Sequence, residues 1–255
     1  LTISIETFEY NQDNLGFLLN DSETGITIAI DAGSEEKICK ILQRRGWKLS
    51  HIFITHYDWD HTDDILPLKS RYNARVYGPK AQADKIEGLD ELLIPGQSIK
   101  AGNIELQTID TCGHTKGHIS FYEPVDHNLF CGDALFSLGC GRLRECEAKI
   151  MWEGLKRLRQ LPDDTMVYCG HEYSAANAKF ALSIDPQNVE LKQRTAQITA
   201  LRATGKPTIP FNLGQDKKAN PFLRADDPAL ALKFDMPDAN PDQVFAAIRK
   251  AKDGF

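Results

Sequence analysis

Three observations predict an α/β fold of two sheets covered by helices. Alternating or continuous apolar runs come both before and after helical stretches. Turn-forming clusters make hairpins at both ends of the strand-rich part. From about residue 174 onward the pattern is helical throughout.

Taken in order, Ile3 to Phe8 alternates, Leu15 to Leu19 is apolar, and Ile26 to Ile30 alternates before Asp31-Ala32-Gly33. Polar turn clusters at Asn11 to Asn14 and Asn20 to Glu23 separate these strands. Residues 34 to 45 place Ile38, Ile41 and Leu42 on one helical face. Leu49, Ile52, Phe53 and Ile54 form a short buried strand, and a helix bearing Ile65, Leu66 and Leu68 follows. Ala74 to Tyr77 is another short strand. Residues 92 to 110 continue with Leu92 to Ile94, a Pro95-Gly96 turn, and alternating Ile104, Leu106 and Ile109. Further on, Leu129 to Cys131 and Val167 to Cys169 are apolar strands on either side of a helix from Ile150 to Leu161. The tail carries helices at Ala175 to Ile184, Val189 to Ala203 and Pro241 to Ala251, broken at Pro207 and Pro210.

Apolar and charged fractions of 42% and 26% are those of an ordinary soluble globular protein. A net charge of −6 argues against a nucleic-acid partner and requires a local basic pocket for any anionic ligand. No run approaches the roughly 18 apolar residues of a membrane span, and no secretory leader opens the chain. The six cysteines show neither CxxC pairs nor a disulfide-scaffold spacing, so they read as reduced, buried thiols of a cytoplasmic protein.

The chemistry concentrates in the decapeptide Thr55 to Asp64. His56, Asp58, Asp60 and His61 fall within six residues at a strand end. In an extended segment His56, Asp58 and Asp60 face one cavity, with His61 where the loop enters the next helix. Imidazole and carboxylate donors together suit zinc, iron or manganese. A merely solvated acidic loop is the weaker reading, because four close carboxylates repel one another unless a cation compensates them.

Three further strand ends repeat the theme. His114 follows Gly113, Asp133 follows Gly132, and His171 follows Gly170. Each would supply one ligand, Asp133 as a carboxylate able to bridge two ions, while His118 would orient its neighbours. Asp133 as a simple helix cap is the plainer alternative. The seven candidates suffice for two metal ions with open solvent positions.

At these residues the chain resembles a known family. The decapeptide is similar to the HxHxDH signature of the metallo-β-lactamase fold, an αββα sandwich of two mixed sheets with helices outside. Four further runs narrow the likeness to glyoxalase II, the hydroxyacylglutathione hydrolases. These are Gly132 to Leu143, Cys169 to Ala181, Asn220 to Arg224, and Arg249 to Asp253. The resemblance implies a catalytic domain over 1–173 and a small helical substrate-binding domain over 174–255. It implies one metal on His56, Asp58 and His114, a second on Asp60, His61 and His171, and Asp133 as the bridge. Arg142, Tyr173, Arg249 and Lys252 would contact glutathione. Arg249 and Lys252 are expected to serve substrate binding rather than the fold.

The chain departs from the family pattern in two places that bear on the site. Asp58 stands where histidine is usual, and Asp63-Asp64 replace two glycines; a further contact position, often aromatic, is Arg144. The expected reaction is hydrolysis of an S-(2-hydroxyacyl)glutathione, with Asp60 and Asp133 central to catalysis, in a monomer. Two other readings are a mono-iron persulfide dioxygenase on the same fold and a metal-poor binder of glutathione conjugates.

Overall fold

The computed structural model describes residues 3–255. The chain gathers into two compact units: one runs to Asp110 and includes Gly117–Asp126, and the other joins Thr111–Lys116 to His127–Phe255.

The first unit is built on a six-stranded sheet. β1 (Ile3–Tyr10), β2 (Asn14–Asp21) and β3 (Ile26–Ile30) pair antiparallel. The helix α1 (Glu35–Arg45) then carries the chain across to β4 (His51–Phe53), which lies parallel to β3. Next come the one-turn helix α2 (Trp59–Thr62), then α3 (Ile65–Tyr72), β5 (Arg75–Pro79) and β6 (Glu91–Leu93), both strands continuing the parallel ladder. β7 (Ser98–Ala101), β8 (Ile104–Asp110) and β9 (Ile119–Glu123) form a separate antiparallel ladder.

Local chemistry explains where α1 begins and ends. Ser34 accepts a hydrogen bond from Lys37 N, and Glu35 and Glu36 occupy the positive first turn. Arg44 and Arg45 occupy the last turn, and Gly46 closes the helix in the left-handed region at φ 68°. Its buried face, Ile38, Ile41 and Leu42, packs with Ala29, Ile52, Val76 and Leu68 in one apolar core.

In the second unit β10 (Asn128–Gly132) lies parallel to β13 (Met166–Cys169), with β11 (Leu135–Phe136) and β12 (Gly139–Cys140) as a small hairpin and α4 (Ala148–Arg159) between. β14 (Phe211–Asn212) pairs antiparallel with β13. The rest is helical: α5 (Ser174–Ile184), α6 (Val189–Ala203), α7 (Leu213–Ala219), α8 (Pro228–Lys233) and α9 (Pro241–Asp253). Ala178, Ala181, Leu191, Ile198 and Ala219 close around Leu138. α7 and α8 were not anticipated, since at seven and six residues they are too short to show a helical period. Among the described residues no helix is long and apolar enough to cross a membrane.

Candidate metal centre

In the first unit the ligand loop leaves β4 through Ile54 and Thr55. Asp31 ends β3 with φ 61° and turns its carboxylate under that loop. It accepts hydrogen bonds from Thr55 N at 2.8 Å and from Thr55 Oγ1, and its Oδ2 stands 2.8 Å from His61 Nδ1. Thr55 Oγ1 lies 2.9 Å from His56 Nδ1. With the hydroxyl donating to Asp31, it accepts from the Nδ1–H of His56. Both imidazoles are therefore held at Nδ1, which leaves Nε2 as the donor atom offered to a metal. His56, His61 and His118 are fully buried, and the His118 ring stacks on His56 at 4.8 Å.

Asp60 corrects one expectation. It does not continue an extended run with His56 and Asp58 but lies inside α2 beside His61. The chain turns at Asp58, whose carbonyl accepts from His61 N and Thr62 Oγ1 and closes the helical turn. Asn14 Nδ2 then donates to Asp60 Oδ2 at 2.8 Å, and Tyr10 OH donates to the Asp60 carbonyl at 2.8 Å. The loop sits directly on Gly33, where a Cβ would stand 1.9 Å from Asp60 O. Asp64, one of the two departures, accepts from Glu35 N at 2.6 Å and so satisfies a free amide at the start of α1. Nothing in the structure explains Asp63.

In the second unit the parallel pairing of β10 and β13 brings their C-terminal ends together, and Asp133 and His171 with them. A bulge after Phe130 and Gly132 at φ 47° turn Asp133 out of its strand. Asp133 Oδ2 lies 3.3 Å from His171 Nε2 and 3.6 Å from His114 Nε2. His114 Nδ1 donates to the Arg142 carbonyl at 3.1 Å. The His171 ring stacks flat on Tyr173 at 4.8 Å, and Phe136 closes edge-on against both. Gly141 allows this approach, since a Cβ there would meet Asp133 O at 2.1 Å.

The substrate candidates fall into two kinds. Arg142 is exposed, Tyr173 is 36% exposed, and Lys252 is half-buried. Burial, then Arg249 and Arg142, push the Lys252 ammonium below the usual lysine range. Arg249, however, is 4% exposed. It donates from Nη1 to the Cys140 carbonyl at 3.0 Å and from Nε to Asp253 at 3.1 Å, and its guanidinium covers the Phe222 ring. Arg249 therefore has a part in the fold as well, against the expectation that it acts in binding alone: its guanidinium ties α9 to β12. The reading of the cysteines is corrected too, for Cys39, Cys112 and Cys146 are only half-buried.

Sequence reasoning missed the supports Asp31, Thr55, Asn14 and Tyr10. The available signal was Asp31-Ala32-Gly33, an acid and a glycine just beyond an apolar strand.

Two family models match the chain: the metallo-beta-lactamase superfamily over residues 21–171, and the hydroxyacylglutathione hydrolase C-terminus over residues 172–255. Among similar proteins, a hydroxyacylglutathione hydrolase of Chelativorans sp. is 47% identical over 255 residues, covering 100% of both chains. Another, from Rhizobium johnstonii, is 48% identical over 253 residues and covers 99% of each. Among solved structures, ETHE1 from Myxococcus xanthus superposes with a TM-score of 0.69 at 21% identity, covering 98% of this chain and 90% of that one. TTHA1623 in a di-iron-bound form gives 0.55 at 29% identity, over 65% of this chain and 90% of that one. With a metallo-β-lactamase fold and full-length relatives at this identity, the chain belongs to the hydroxyacylglutathione hydrolase family.

Proposed function

We propose that this protein hydrolyses S-(2-hydroxyacyl)glutathione thioesters, such as S-lactoylglutathione, to a 2-hydroxy acid and glutathione, and so serves the disposal of methylglyoxal. As the family resemblance implies, its two metal ions would be held by His56, Asp58 and His114 and by Asp60, His61 and His171, with Asp133 shared. One observation carries this reading. In each unit imidazole Nε2 atoms stand 3.3 to 3.7 Å from carboxylate oxygens: His171 and His114 from Asp133, His56 from Asp58, His61 from Asp60. These gaps are longer than charge-assisted hydrogen bonds. Those of His171 and His56, at 3.3 and 3.4 Å, match the edge of a tetrahedron of donors about 2.0–2.1 Å from a central ion, which is about 3.3–3.4 Å, and those of His114 and His61 are longer.

Bound divalent ions would acidify water toward neutral pH and offset negative charge on the thioester oxygen. The chain's own residues supply the rest. Asp31, Thr55 and the Arg142 carbonyl fix the imidazole tautomers, and Asn14 fixes one oxygen of Asp60. Arg142, Tyr173, Arg249 and Lys252 would hold the anionic thiol carrier, Arg249 also tying α9 to the hairpin before Arg142. The helices of 174–255 would form that binding domain. The leaving thiolate comes from a thiol with a pKa of about 8.5, so no strong general acid is required. The protein would work as a monomer in the reducing cytoplasm, where its six cysteines would stay thiols.

Metal content and turnover of S-lactoylglutathione, measured together on the native protein and on Asp58→His, test the proposal. Turnover with stoichiometric iron or manganese in the native protein supports ligation by Asp58, since a carboxylate is a harder donor than imidazole. A half-empty native centre that Asp58→His refills would detach Asp58 from the metal. Oxygen consumption with glutathione persulfide in place of thioester turnover would overturn the hydrolase reading.

A further inference from the structure

We propose that Cys112 and Cys146 form a redox-active dithiol that closes to a disulfide when a low-molecular-weight disulfide is supplied. Their Sγ atoms lie 3.3 Å apart although the residues are 34 positions apart in the chain. Cys112 follows β8, and Cys146 lies two residues before α4. Both are half-buried, whereas Cys131, Cys140 and Cys169 are buried.

The surrounding packing fixes this meeting. The 111–113 segment lies close against α4: a Cβ at Gly113 would meet Met151 Cγ at 2.5 Å, and one at Gly154 would meet Thr111 Cα at 3.2 Å. Two hydrogen bonds join the same pair of segments beyond the sulfurs. Lys116 N donates to Glu145 Oε2 at 2.7 Å, and His114 Nδ1 donates to the Arg142 carbonyl at 3.1 Å. The sulfurs are thus brought together by the backbone on either side of them. Reaching a bond length of about 2.0 Å requires them to approach by roughly 1.3 Å.

The chemistry balances as two exchanges. One cysteine sulfur attacks the supplied disulfide, a mixed disulfide forms, and the first carrier thiol leaves with a proton. The second cysteine sulfur attacks the mixed disulfide and expels the second carrier thiol. Two S–H bonds are lost from the protein, one S–S bond forms, and the disulfide is reduced to two thiols. Uncatalysed closure falls in the range of minutes to hours. Once closed, the bridge ties the loop bearing His114 to the segment bearing Arg142.

Incubating the full-length, metal-loaded protein overnight with glutathione disulfide, then mapping peptides under non-reducing conditions, tests the proposal. The native protein should lose two hydrogens in mass and yield one crosslinked pair carrying Cys112 and Cys146. Dithiothreitol should reverse both changes. C112S and C146S should each give no crosslink and retain one glutathionyl adduct on the remaining cysteine of the pair. A native protein that only accumulates glutathionyl adducts, that stays unmodified at both positions, or whose crosslink survives in either serine variant would overturn it.

Discussion

The two units furnish their candidate ligands by opposite means. In the first, four candidate ligands lie within six residues of one loop, and its histidines are oriented by side chains, Asp31 and Thr55. In the second, His114, Asp133 and His171 come from segments up to 57 residues apart, and His114 is oriented by a main-chain carbonyl. Each unit presses its ligands onto one glycine, Gly33 in the first and Gly141 in the second. A site written into a loop is thus exposed to substitution of its supports, whereas one written into strand pairing is exposed to substitution of the fold around it.

Asp133→Ala should have the largest effect, because a single carboxylate faces both histidines of the second unit. Loss of bound metal and of at least about 1,000-fold in kcat/KM, about 4 kcal/mol of barrier, is expected. Two ions per chain and near-normal turnover in that variant would sink the bridging role. Arg249→Ala comes next and acts on the fold. Removing a buried guanidinium that serves Cys140 O should cost about 2–4 kcal/mol. The melting temperature should then fall by roughly 5–10 °C. Lys252→Ala, at a half-buried position, should leave it unmoved; equal melting of both variants would erase the distinction drawn between them.

Asp31→Asn probes the side-chain supports of the first unit. It keeps the shape but removes the charge behind His61, and should weaken metal binding about 10–100-fold in a competition titration against a chelator. Arg142→Ala is its counterpart in the second unit and should be the mildest. The carbonyl that holds His114 survives the substitution, so metal content should stay constant while KM for the thioester rises, by roughly 10-fold for one charge-assisted contact. Metal loss in Arg142→Ala would mean that the guanidinium itself, and not the backbone, supports the site.

The difference between the units also explains what could be read in advance. His56, Asp58, Asp60 and His61 stand out because ligand density in a short loop is a one-dimensional signal. His114, Asp133 and His171 were reached only through the repeated order of apolar strand, glycine and ligand. What could not be read was conformation and burial. Asp60 sits in a four-residue helix with no period of its own to show. Arg249 has the sequence surroundings of an exposed helix face, and only the packing of α9 against β12 and Phe222 makes it an interior residue. Asn14 and Tyr10 reach Asp60 across more than 45 positions, through the antiparallel pairing of β1 and β2.

The stitching of the first unit's loop bears on the order in which the protein assembles. Ala32 N donates to His61 O, Asp64 N donates to Ala32 O, and Glu35 N donates to the Asp64 carboxylate. These bonds tie both ends of α2 to the β3–α1 turn using only groups of the chain itself. The conformational entropy of ordering the loop is therefore lost during folding and not when an ion enters. Metal binding at these residues then adds stability only by mass action on an already folded protein, unlike small domains that fold only on binding zinc. Ions should be exchangeable in a protein that stays folded, and where glycines would have left this turn loose, Asp64 helps to hold it ready.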